Sequence, residues 1–500
     1  MKRIMFLIIA SLLVVGLVLS GCNGDGDGDG DGVEFEQWIT FGIAGPMDDV
    51  AGEGHWNGAL MARDEINDAG GIDVDGDIYG VALVQIDTNE VHGTPAEGIT
   101  ALEAEINNVD FVLGGFRTEQ VTAYREVAMD AQKIFMDCGA ATDALQFSVI
   151  QDYERYKYWF KVTPVNSTFL VRYINKMMVT IGTMLKGELV AAGEDVIDDY
   201  EVGAGDSLRV AIMVENLVWC AGFIPAMQFY LPMYGFEVVG TWVPSATATD
   251  LTTELTEMEA VKPHICFHVS SGPVGLTYAK QVAELEIPVL SIGINVEAQQ
   301  KGAWESTNQG CQYHVFSDTS AENVEMTAGM LDFFNDYVTR FNNYPVYNAA
   351  TYDGIYMLKG AIEALGSLDA DDIIPYLETH SHEGVLGQIT YYPYPEKSLG
   401  AGMYALSEEQ VRALYDLDSY SWSYVQSEWT VGASAAPHVF HDIAYGPTYP
   451  TGLGSQWQDG HKVCVYPMDL GAPSIDQYGD WSFEYPGTVD IVIPVEWWLE

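Results

Sequence analysis

Trp38-Ile39-Thr40-Phe41-Gly42-Ile43-Ala44, then His55 to Ala69 closed by Gly70-Gly71, then Ile78 to Ile86, is the stretch that decides the fold. The first run is short, uncharged and mostly apolar, as a buried strand requires. The second places Ala59, Ala62, Ile66 and Ala69 at intervals of three and four, which makes one apolar helix face, and the glycine pair stops it. The third is again a strand. A strand, a helix and a second strand in this order form a parallel pair with the helix packed over it.

The same alternation continues outward. Thr94-Pro95-Ala96-Glu97 opens the next helix with an N-cap, a proline at the first helical position and a capping-box glutamate. Asp110 to Leu113 is predicted as a strand, Gln120 to Ala131 as a helix and Lys133 to Met136 as a strand. After Pro164 the pattern restarts with a long helix from Thr168 to Leu185. Strands at 208–214, 237–243, 264–269 and 289–292 then alternate with helices at 221–233, 251–261 and 274–285. Five hundred residues exceed one compact core. Two alternating runs therefore predict an α/β protein of two doubly wound parallel-sheet lobes, with a ligand held in the cleft at the carboxyl ends of the strands.

At the N-terminus, Lys2 and Arg3 precede an apolar run from Ile4 to Leu19, and Leu19-Ser20-Gly21-Cys22 closes it. The run has the length of a secretory signal and is short for a membrane span. Its end resembles the bacterial lipobox, which implies cleavage of 1–21 and lipid on Cys22; an ordinary secretory signal or an uncleaved anchor is the plainer alternative. Residues 22–34 are a Gly-Asp linker whose charges repel, an extended leash. Asp25, Asp27, Asp29, Gly30 and Glu36 fit a calcium-loop spacing, although a strict Gly-Asp repeat meets most of that pattern automatically. The other reading is plain linker.

Twenty-one basic against 72 acidic residues give a net charge of −51. Nucleic acid is excluded as a partner, because its binding needs clustered Lys and Arg. Beyond Cys22 the cysteines are Cys138, Cys220, Cys266, Cys311 and Cys464, an odd number with no C-x-x-C pair. They are expected mostly as small buried side chains, at least one a free thiol, with room for one disulfide. The chain has no G-x-S-x-G, H-E-x-x-H or phosphate-loop motif, and its many carboxylate pairs single out none for acid–base work. The expectation is a protein that is not an enzyme and needs no cofactor or metal.

Several segments carry a family resemblance. Phe41-Gly42-Ile43-Ala44-Gly45-Pro46, Asn57-Gly58-Ala59 and Asp64 to Gly71 are followed by Phe111-Val112-Leu113-Gly114-Gly115 and Cys138 to Thr142. Ala349 to Gly354, Gly384 to Thr390 and Gln456 to Val463 come later in the same order. Together they resemble the leucine/isoleucine/valine-binding family of type I periplasmic binding proteins, which serve ABC importers. The resemblance implies that the chain crosses between lobes three times, near Pro164, Ser317 and Gly400. The first lobe would then be 35–163 plus 318–400 and the second 164–317 plus 401–500. Glu188 to Asp206 and Ser407 to Gly454 are extra to the usual length and read as surface additions.

The resemblance also implies the site. Thr118 falls where the family binds a ligand head group, at a helix N-terminus that attracts a carboxylate; a plain helix cap is the other reading. Ala141 and Thr142 belong to the next pocket loop. Arg117 departs from the small polar residue common there, and its guanidinium suits a bidentate carboxylate; a surface arginine bonded to nearby acids is the alternative. In the second lobe Trp219 takes the place of a stacking aromatic, with Ser270 and Ser271 beyond the strand from His264. The acidic residue that pairs an ammonium in amino-acid binders is missing near Gly293, and Glu297 lies slightly past that spot. The function so implied is capture of an amino acid, amide or carboxylate-bearing solute and its delivery to an ABC permease by a monomer lipid-anchored on the outer face of the cytoplasmic membrane. A ligand-sensing ectodomain serving a separate receptor is the alternative.

Overall fold

The computed structural model describes residues 34–393, 396–399, 403–405, 409, 440–444, 450, 452–468 and 484–499. Cys22, the signal and nearly all of the linker, with its calcium-type spacing, lie outside them, as does most of the segment from Ser407 to Gly454. The first half runs β1 (Gln37–Gly45), α1 (Val50–Asp68), β2 (Ile72–Val74), β3 (Asp77–Asp87), α2 (Pro95–Glu105), β4 (Phe111–Gly114), α3 (Thr118–Asp130), β5 (Phe135–Asp137), α4 (Asp143–Gln151) and β6 (Trp159–Lys161). Its strands make one six-stranded sheet in the order β2-β3-β1-β4-β5-β6. The opening unit is as predicted: β1 and β3 pair in parallel from Gln37 opposite Tyr79 to Gly45 opposite Asp87. The Glu97 carboxylate accepts from the Thr94 N–H at 3.2 Å, the bond expected of a capping-box glutamate.

Asn166 opens α5 (Ser167–Ala192), its side chain accepting from the Phe169 N–H at 2.9 Å. Then come β7 (Leu208–Val214), α6 (Phe223–Met233), β8 (Phe236–Trp242), α7 (Thr252–Ala260), β9 (Ile265–Ser270), α8 (Val274–Glu284), β10 (Leu290–Asn295) and β11 (Val315–Asp318). Helices α9 (Met330–Phe341) and α10 (Thr351–Leu365) return to the first sheet, where the Thr351 hydroxyl donates to the His55 carbonyl at 2.6 Å. A late pair, β12 (Leu453–Gln458) and β13 (His461–Tyr466), completes a seven-stranded sheet of order β13-β12-β11-β10-β9-β7-β8. From Phe35 onward the chain forms one compact unit. Among the described residues no helix is long and apolar enough to cross a membrane.

Several features differ from expectation. Helix α1 begins at Val50, five residues before His55. The elements β2, α4, β6, β11 and α9 are not among the predicted ones. Neither sheet is purely parallel, because β2 runs antiparallel to β3 and both β12 and β13 are antiparallel to their neighbours. The third crossing, expected near Gly400, lies outside the described residues. The Lys161 N–H donates to the His441 carbonyl at 3.0 Å and the Ala444 N–H to Thr390 at 2.8 Å. Residues 440–444 therefore pack beside β6 of the first sheet.

Each sheet hides one ion pair: Lys161 with Asp137 at 2.6 Å and Lys462 with Asp318 at 2.6 Å, all four side chains fully buried. The five described cysteines are buried and unpaired.

Candidate functional site

Strands in both sheets end facing one another, and the loops that leave them enclose a narrow cavity of about 50 Å³. Phe116 and Arg117 follow β4, Ala141 follows β5, Trp219 follows β7 and Ser271 follows β9. Gly114 makes the first of these loops possible. Its φ is 117° and a Cβ there would lie 1.9 Å from the Ala44 carbonyl oxygen, so only glycine turns the chain at this point.

Arg117 is 7% exposed. Its Nη1 donates to the Val91 carbonyl at 2.9 Å, while Nε and Nη2 are buried with no partner among the described residues. Those two nitrogens share one edge of the guanidinium, the fork that matches a carboxylate. The loop behind it is held by Glu90, whose carboxylate accepts from the N–H groups of Phe116 at 3.0 Å and Arg117 at 2.5 Å and from the hydroxyls of Thr88 and Tyr124 at 2.8 Å each.

A second carboxylate does the same in the opposite lobe. Glu215 accepts from the Ser271 N–H at 2.7 Å, the Ser271 hydroxyl at 2.5 Å, the Gly272 N–H at 3.2 Å and the Trp219 indole N–H at 3.0 Å. It thereby fixes the indole as a wall of the cavity. The two loops approach closely at Gly272, where a Cβ would lie 3.0 Å from Arg117 Nη2. Glu119 of α3 also accepts from the Val218 N–H at 2.8 Å, a direct bond between the lobes.

Of the residues expected at the site, Arg117, Ala141, Trp219 and Ser271 line the cavity. Ser271 does so with its hydroxyl already committed to Glu215. Thr118 is the first residue of α3 rather than its cap, and its hydroxyl is buried and unpartnered beside Arg117. Thr142 does not line the cavity: it caps α4, accepting from the Ala144 N–H at 3.3 Å. Ser270 is also outside it, buried under Gly275, where a Cβ would lie 2.5 Å from its hydroxyl. Unanticipated lining residues are Gln299, Ser317, Thr319, Tyr347 and Gly452, most of them from the crossing segments.

Beside the cavity a wider cleft of about 360 Å³ is bordered by Asp48, Asp49 and Glu53 from the first lobe and Glu297 from the second. Burial, then the charge of Asp49, pushes the Glu297 carboxyl up to about 7; Arg117 acts on both acids in the opposite sense. The site thus carries a free cationic edge, an apolar wall and a nearby acidic lip.

Burial likewise pushes Glu90 up to about 7, against four donated hydrogen bonds. The folded protein then holds this proton above the pH at which the unfolded chain releases it. Glu90's contribution to stability is lost as pH rises from about 4.5 through about 7. Glu90→Gln, which presents its oxygen to the two N–H groups and its amide to the hydroxyls, escapes that loss. Its stability relative to the natural chain is expected to rise by ~1–3 kcal/mol between about pH 5 and about pH 8. Urea midpoints at the two pH values check this, and a pH-independent difference contradicts it.

The sequence pattern described as periplasmic binding protein matches residues 41–406. No curated protein matches the chain in sequence. Solved structures do share its fold. A putative branched-chain amino acid ABC transporter protein from Silicibacter pomeroyi is 17% identical, with a TM-score of 0.58 over 90% of this chain and 99% of that one. The branched-chain amino acid transporter substrate-binding protein LivJ of Streptococcus pneumoniae, in complex with isoleucine, is 19% identical, with a TM-score of 0.55 over 71% of this chain and 92% of that one. An ABC transporter solute-binding protein from Rhodopseudomonas palustris, in complex with 3,4-dihydroxybenzoic acid, is 18% identical, with a TM-score of 0.56 over 70% and 88%.

Proposed function

Since this chain belongs to the periplasmic binding protein family, we propose that it is a membrane-tethered, extracytoplasmic solute-binding protein that captures a small carboxylate-bearing ligand between its lobes and delivers it to an ABC importer. The observation that carries the reading is the Arg117 edge. A guanidinium that is 7% exposed and has two N–H groups without a partner among the described residues is costly unless an anion completes it. The Thr118 hydroxyl, next in sequence, is also buried without a partner among the described residues. Trp219 and Phe116 supply surface for an apolar ligand body. Isoleucine and 3,4-dihydroxybenzoic acid, held by two structures of the same fold, both present a carboxylate on an apolar frame. Glu297 and Asp49 at the lip supply the countercharge for an ammonium group, which favours α-amino acids within this class.

Mass spectrometry of small molecules released from the purified protein, followed by a thermal-shift screen of amino acids, aromatic acids and short amides, tests the reading. A carboxylate should be recovered and should raise the unfolding midpoint by mass action. Recovery of only cationic or uncharged solutes would refute it.

The tether is tested separately. Cys22→Ala is expected to release the protein from the membrane fraction or leave an uncleaved precursor, with ligand affinity unchanged within about twofold. Fractionation and calorimetry on the same preparation read both outcomes. A variant that stays membrane-bound after cleavage would remove the lipid from the proposal.

A further inference from the structure

A second cavity, of about 370 Å³, lies in the second lobe at the entry ends of β10 and β11, the ends opposite the cleft. The six residues of β10 separate the two, roughly 20 Å at ~3.3 Å per residue. Val282 and Ala283 on the last turn of α8, Ile287-Pro288 ahead of β10 and Trp497 near the C-terminus wall it, and His314 lines it from the strand side. Trp497 falls outside the matched residues 41–406.

His314 is the informative residue. It is 4% exposed, and its ring leans on Tyr278 at 5.8 Å. Neither ring nitrogen has a hydrogen-bond partner among the described residues, and burial alone pulls its pKa down to about 4. It is therefore neutral at physiological pH and offers one donor and one acceptor. A ring nitrogen that lines a cavity and has no partner in the protein is available to hydrogen-bond an occupant. The walls themselves are held in a costly conformation: Glu286 and Gln309, both lining residues, have φ of 53° and 67°, and Asn308 and Tyr313 have 54° and 66°.

Charge narrows the occupant. Among the described residues no Lys or Arg lines the cavity, and Glu286 stands exposed at its rim, in a chain of net charge −51. Anions are repelled, and a cation at the buried end would meet a neutral imidazole and no counter-ion. We propose that this cavity is a second binding site, for a small uncharged aromatic molecule with one hydrogen-bonding group, of the phenol or indole class. The polar group meets His314 and the ring packs against Trp497, Ile287 and Pro288.

Titration calorimetry of the full chain with phenol and with indole tests it. One saturable site is expected, with a dissociation constant of about 1 mM or tighter. Ala283→Phe, at an exposed rim position, fills the cavity from outside and should weaken both probes at least about tenfold. His314→Leu should do the same for phenol. Arg117→Ala should leave both unchanged. Absence of saturable binding, undiminished affinity in Ala283→Phe, or loss of the probes in Arg117→Ala, which would place them in the cleft, overturns the proposal.

Discussion

Arg117→Ala is expected to weaken capture of the carboxylate ligand by about 2–5 kcal/mol, at least ~30-fold, as removal of one partner from a buried charged hydrogen-bond pair does. The direction follows from geometry. Nη1 is anchored on the Val91 carbonyl, which leaves the Nε and Nη2 edge unsatisfied in the cavity. Arg117→Lys keeps the charge but loses the planar fork, so an intermediate loss is expected. The unliganded alanine variant should be no less stable than the natural chain, because it discards an incompletely paired buried charge. Titration calorimetry with the recovered ligand reads the first effect and denaturant midpoints the second. Unchanged affinity would remove Arg117 from the site; a large loss of apo stability would mean that its role is structural.

The second large effect concerns folding. Lys161→Met should destabilise the protein by ~3–5 kcal/mol, the usual result of stranding one member of a buried ion pair. Lys161 bonds to Asp137 at 2.6 Å and to the Ala140 carbonyl, with both charged side chains fully buried. Asp137 in turn accepts from the N–H groups of Gly139 at 3.2 Å and Ala140 at 3.0 Å, which shapes the loop that carries Ala141 into the cleft. Lys161 also lies near Asp442, whose carboxyl burial pushes up to about 7 and Lys161 draws back down. Removing the lysine leaves two acids without a counter-charge. Asp137→Leu combined with Lys161→Met should recover much of the loss, because an apolar pair of similar volume avoids the desolvation penalty. Chemical denaturation of the three variants measures this. A single-variant cost below about 1 kcal/mol would show the pair to be dispensable.

Much of the fold was legible because its signals are local. The Ala59, Ala62, Ile66, Ala69 face, the Thr94–Glu97 cap and the uncharged strand runs each fit within a few turns of chain, and most elements appear within a few residues of their expected limits. Arg117, Ala141, Trp219 and Ser271, which the family resemblance pointed to, line the cavity, and each follows the end of a strand that faces the cleft. Thr142 and Ser270 sit just as close to those ends yet are turned elsewhere, one to cap α4 and one under Gly275. Spacing fixes where a residue sits along a loop but not which way its side chain points.

The parts that were not legible depend on distant partners. Glu90 reaches the Arg117 loop across 27 residues and Glu215 reaches Ser271 across 56, and in a chain with 72 acidic residues nothing local marks these two. The place of residues 440–444 rests on bonds such as His441 to the strand at Trp159, 282 positions away. The sequence alone determined the alternation of strands and helices, the two lobes and the strand ends that meet in a cleft, because hydrophobic periodicity acts over a few residues. Only the tertiary structure decided which buried carboxylates hold those loops, that the Arg117 edge is left free, and that residues 440–444 pack beside β6. A buried polar group is satisfied or left wanting by whatever folding brings within 3 Å of it, and chain order does not encode that neighbour.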